Sequence, residues 1–114
     1  MPLLKKLGDG YKTWHVTLQN IPKLARFTLG TKIDNLFIET VEFVLLAGYA
    51  PKSQKLSIIK RASTKLDALK FFLQLAWEIK SLDNPKYLAI ANPLEEAGKM
   101  LGGWQRQLEK ENNL

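Results

Sequence analysis

The chain has 114 residues, of which 46% are hydrophobic, which suits one domain with one packed core and argues against disorder. Its 17 basic and 11 acidic residues leave a net charge of +6, which favours polyanionic partners without specifying one. The absence of cysteine excludes disulfides, thiolate metal sites and cysteine nucleophiles.

Breakers divide the chain into four helical segments. Gly8 and Gly10 precede a first helix over about 10–21, with Asp9 as its cap, and Pro22 interrupts it. A second helix over about 24–49 ends near Gly48 and Pro51. Ser53 is placed to cap a third over about 54–82. The turn Ser81-Leu82-Asp83-Asn84 leads to Pro85, suited to the first turn of a fourth helix over about 85–110. Pro93 predicts a kink or break there, with Asn92 as a fresh cap. No useful length alternates with period two. The expected fold is all-α, an up-down-up-down four-helix bundle in a single domain.

Placed at the helical step of about 100° per residue, the middle helices show more apolar surface than one bundle needs. In the second, Leu29, Ile33, Leu36, Phe37, Thr40, Phe43, Val44 and Ala47 form a core stripe, and Phe27, Ile38, Val41 and Leu45 form another face. In the third, Ile59, Ala62, Leu66, Leu69, Leu73 and Ala76 form the core stripe, and Ala68, Phe72, Leu75 and Ile79 a second. A neighbouring helix or loop would cover these extra faces in one chain; their presence on both long helices favours a homo-oligomer. In the fourth helix Leu94, Ala97, Leu101, Trp104 and Leu108 share a core face. Ala91, Gly98 and Gly102 lie on its flank as a ridge for close helix contact, unless Gly102-Gly103 ends the helix.

Charge is uneven along the chain. Residues 51–82 hold seven basic and two acidic groups, whereas residues 83–114 have a net charge of −1. Lys52, Lys55, Lys60, Arg61 and Lys65 fall within 14 positions at the start of the third helix. Repeated around an oligomer, they would give sequence-independent, salt-sensitive binding of RNA or DNA. No groove-reading motif supports base specificity.

Recognisable catalysis is absent. The single histidine, His15, reads as structural, and Lys12 stands where an inward Glu-x-x-His pair would need glutamate. The glycines of MLGGW lack the lysine and hydroxyl residue of a P-loop. Neither a cofactor, a metal site nor enzymatic activity is expected. No stretch reaches the roughly 18 apolar residues of a membrane span, and MPLLKKLGDG has no signal-peptide pattern, so a cytoplasmic protein is expected.

Three segments in order, RFTLGTKID (26–34), KLDALKFFLQLAWEI (65–79) and GKMLGGW (98–104), carry a family resemblance. The sequence resembles Avd, the accessory variability determinant of diversity-generating retroelements, over about residues 10–105. The resemblance implies a basic four-helix bundle assembled as a barrel-shaped homopentamer. It implies association with the retroelement's reverse transcriptase and with nucleic acid, in support of mutagenic copying of template RNA into cDNA that diversifies a target gene. It gives Avd no polymerase activity of its own. The corresponding basic surface would comprise Arg26, Lys32, Lys52, Lys55, Lys60, Arg61 and Lys65. Pro93 departs from the uninterrupted last helix expected of the family. The alternative is a four-helix-bundle protein of the 23S rRNA intervening-sequence type, but NLFIETVEFVL (35–45) stands where such proteins carry an SIxxNIAEG-like stretch.

Overall fold

In the computed structural model, which describes residues 1–112, every element is helical. Helix α1 is Pro2–Leu18. Helix α2 is continuous over 23–49: a first turn at Lys23–Ala25, a wider π-helical turn at Arg26–Gly30, then α-helix at Thr31–Tyr49. Helix α3 is Lys52–Glu78 and α4 is Asn84–Asn112. Short connections make successive helices antiparallel. Helix α2 packs on α3, α3 on α4, α4 on α1, and α1 more lightly on α2, closing the four-helix arrangement. The molecule measures 50 × 22 × 21 Å.

The first helix begins eight residues earlier than its glycines suggested. Pro2 occupies its first turn, where a missing N–H costs nothing. Leu3, Leu7, Gly10, Trp14 and Thr17 are buried at spacings of four and three. Each interior glycine costs about 1 kcal/mol, but each fully buried leucine stabilises by about 1.5–3 kcal/mol. Burial therefore outweighs Gly8 and Gly10, and Asp9 sits inside the helix rather than capping it.

The end of α2 and the start of α3 also differ from expectation. Pro51 occupies the N-cap of α3, no side chain caps it, and Ser53 lies within the first turn. Helix α3 stops at Glu78 rather than near residue 82. Lys80 there has φ 67°, the left-handed region. Its N–H bonds the Trp77 carbonyl at 3.0 Å, and the Ser81 N–H bonds the Ala76 carbonyl at 2.9 Å. This is the Schellman pattern with lysine where glycine is the usual occupant. Asp83 then accepts the Lys86 N–H at 2.9 Å and starts α4.

Helix α4 runs through Pro93 without a break, so Asn92 begins no new helix. Pro93 deprives the Ala89 carbonyl of its helical donor, but Ala89 is exposed and solvent reaches it. The helix also continues past Gly102 and Gly103 to Asn112.

The core follows the helical stripes. All six stripe residues of α3 are buried, as are Ile33, Leu36, Phe37, Thr40, Val44 and Ala47 of α2. Leu29 and Phe43 are half-buried. On α4, Ile90 joins Leu94, Ala97, Leu101 and Leu108, whereas Trp104 is only half-buried. The tryptophan inside the bundle is Trp14, stacked on Phe37 at 6.4 Å, with Tyr11 edge-on to the same ring at 5.5 Å. Asp34 closes this cluster by accepting from the Tyr11 hydroxyl at 2.9 Å and from Trp14 Nε1 at 3.2 Å. His15 is exposed and stacks on Tyr11 at 6.1 Å.

Candidate nucleic-acid interface

Hydroxyl and cationic residues recur along the outward side of α3: Ser53, Ser57, Lys60, Arg61 and Thr64, at steps of three or four apart from the adjacent pair. That spacing keeps them on one face. They form the floor of an open trough of about 620 Å³, completed by Leu56, Lys65, Phe43 of α2 and Asn112 at the end of α4. Lys60 and Arg61 are exposed and form no ion pair with any described residue. Their charge is therefore uncompensated by direct contact, and the Ser53 and Ser57 hydroxyls add hydrogen-bond donors, whereas that of Thr64 donates to the Lys60 carbonyl at 3.1 Å. This is a surface suited to phosphate oxygens.

The seven cations picked out by sequence are not one cluster. Arg26 lies at the opposite end of α2 from Lys55 and serves the α1–α2 corner. Its Nη2 donates to the carbonyls of Gln19 at 3.2 Å and Ile21 at 3.1 Å. Lys55 extends to the end of α2, where Nζ bonds the carbonyls of Ala47 at 2.7 Å and Gly48 at 3.2 Å. A cation there satisfies orphan carbonyls and the negative end of the helix dipole. Lys52 pairs with Glu111 at 3.8 Å, and Lys65 with Glu39 at 2.6 Å. Both pairs are substantially solvated, and such pairs contribute about 0–1 kcal/mol. Lys32 sits over the Phe72 ring, 5.9 Å from its centre. The trough itself holds Lys60, Arg61 and Lys65.

Sequence reasoning missed Ser57, Thr64 and Phe43 as lining residues and gave Ser53 the wrong role. The signal was available in the repeated hydroxyls at 53, 57 and 64, which share a helical face with Lys60.

The second apolar faces remain largely open in the single chain. Phe27, Ile38, Leu45 and Ile79 are exposed, while Val41, Ala68, Phe72 and Leu75 are half-buried. Gly98 and Gly102 line a groove between α3 and α4, with Ser63, Asp67 and Lys70 opposite. A Cβ at Gly98 would lie 2.7 Å from Lys70 Nζ, so the lysine uses the space of the missing side chain. Lys70 also reaches Glu95, at 3.5 Å. Ala91 borders a smaller gap beside Tyr87 and Lys70.

Among the described residues, no three His, Asp or Glu side chains form a potential metal cluster. No described helix is long and apolar enough to cross a membrane. Partial burial, then the hydrogen bond to Asp34 and its charge, raise the Tyr11 phenol above its ordinary range, a shift that belongs to the packed cluster around Phe37.

No curated protein matches the chain. A protein-family model, described as bAvd-like, matches residues 1–108. That span takes in all of α1, α2 and α3 and most of α4, including the π-helical RFTLG turn and the MLGGW segment. An all-helical chain matched over nearly its whole length is thus a member of the bAvd-like family.

Proposed function

We propose that this protein is a non-catalytic accessory subunit of a diversity-generating retroelement. It binds the element's reverse transcriptase and its template RNA or cDNA, without sequence specificity, and supports mutagenic retrohoming in the cytoplasm. The observation that carries this reading is the family match across residues 1–108. The uncompensated Lys60 and Arg61 in the α3 trough supply a surface of the required charge.

The working form is a homo-oligomeric ring, a pentamer by the family resemblance. Exposed Phe27, Ile38, Leu45 and Ile79, with half-buried Val41, Ala68, Phe72 and Leu75, supply apolar surface for subunit contacts. A ring repeats the trough once per subunit and turns a two-cation patch into a basic zone. Co-expression with the reverse transcriptase of a diversity-generating retroelement from the same genome tests the assignment. Co-purification through a size-exclusion column supports it; a polymerase that elutes free of this chain refutes it.

A further inference from the structure

The face of α3 that carries the trough continues to an exposed aromatic residue. Phe71 is 60% exposed, seven residues beyond Thr64, or about 10 Å along the helix. Its ring is braced edge-on by Phe72, with centroids 5.5 Å apart and planes at 82°. An aromatic side chain held this way presents a ring to solvent without the entropy cost of fixing it on binding. Phe71 is also offset by about 100° from Phe72, so it lies off the Ala68–Phe72–Leu75–Ile79 stripe assigned to subunit contact.

Charge marks the direction of the path. Lys60 and Arg61 lie at its start, and Glu78, hydrogen-bonded by Gln74 at 2.9 Å, lies two turns beyond Phe71. Asp67, exposed one turn before Phe71, stands between the cations and the ring and also borders the α3–α4 groove. A polyanion following α3 from the trough is therefore held by Lys60 and Arg61 first, passes Asp67 and reaches Phe71 one turn later, with Glu78 two turns beyond. A duplex keeps its bases stacked on one another and offers phosphates alone. A single strand offers both phosphates and unstacked bases, and pairing of a basic track with an aromatic platform is suited to it.

We propose that the α3 face is a single-strand site, with phosphates over Ser57, Lys60 and Arg61 and an unpaired base stacked on Phe71. This rests on the nucleic-acid-binding reading above and specifies which nucleic acid the surface prefers. The test compares Phe71→Ala, Phe71→Trp and Lys60→Gln with the parent protein in fluorescence anisotropy titrations. The probes are a labelled oligo-uridine and an RNA duplex of the same length. Phe71→Ala is expected to weaken single-strand binding by about 5- to 150-fold, the range supplied by base–aromatic stacking, and to leave duplex binding unchanged. Phe71→Trp should restore it. Lys60→Gln should weaken both probes.

Equal effects of Phe71→Ala on the two probes, or none on either, would overturn the stacking role. Loss of reverse-transcriptase co-purification with unchanged oligo-uridine binding would also overturn it and assign Phe71 to a protein contact. A changed mass by light scattering would instead make Phe71 a subunit-contact residue, against the proposal. Failure of the parent protein to bind either probe would refute the underlying nucleic-acid reading, an outcome distinct from all of these.

Discussion

Replacing Asp34 with alanine removes one oxygen that serves two donors. Trp14 Nε1 belongs to a fully buried side chain and donates to Asp34 Oδ1 at 3.2 Å. Its N–H has no other protein partner and solvent access is blocked, so leaving it unmade costs about 1–3 kcal/mol. The Tyr11 hydroxyl, 2.9 Å from the same oxygen, is only half-buried and turns to water at a cost of about 0.5–1.5 kcal/mol. The sum is about 1.5–4.5 kcal/mol, a large part of the stability of a chain this size. Asp34→Asn retains a carbonyl oxygen as acceptor, and its cost should be at most half that of alanine. Urea unfolding followed by helical circular dichroism, at a fixed protomer concentration, reads both variants as shifts in midpoint at constant slope. A loss below about 0.5 kcal/mol for Asp34→Ala, or an asparagine variant as unstable as the alanine one, would refute the shared-acceptor argument.

Other perturbations isolate separate features. Burial and Asp34 raise the Tyr11 pKa, so its contribution is intact below the unfolded value of about 10 and is lost as pH rises through the folded value. Melting curves of the parent should therefore fall more steeply than those of Tyr11→Phe above about pH 10; parallel curves would contradict the shift. Lys80→Gly relieves a left-handed lysine at the end of α3 and should stabilise by about 0.5–1 kcal/mol. A glycine variant no more stable than Lys80→Ala would show that φ imposes no cost there. Phe72→Asp should split the proposed oligomer while helicity stays near the parent's, read by light scattering and circular dichroism; an unchanged mass would remove Phe72 from the proposed subunit contact.

Burial patterns were legible in the sequence because they depend on helical periodicity alone. The α3 stripe from Ile59 to Ala76 is buried residue for residue. Boundaries were less legible where tertiary burial overrides local preference. Leu3, Leu7 and Trp14 hold α1 together through two glycines, and solvent at Ala89 lets α4 continue past Pro93. The site was the least legible because charge is a property of residues, whereas availability depends on neighbours in space. Lys55 looks like a phosphate ligand in sequence, but its ammonium caps α2 eight residues back. Arg26 binds carbonyls at a corner of its own chain. Lys60 and Arg61 remained because no carboxylate among the described residues pairs with them.

The most direct test of the basic trough is the salt dependence of oligonucleotide binding by the parent and by the double variant Lys60→Gln, Arg61→Gln. For the parent, the logarithm of affinity should fall linearly with the logarithm of salt concentration. If each cation contacts one phosphate of a single strand, the double variant's slope should be shallower by about 1.4, at about 0.7 per contact. The same affinity and the same slope for both proteins would contradict phosphate binding by the α3 trough.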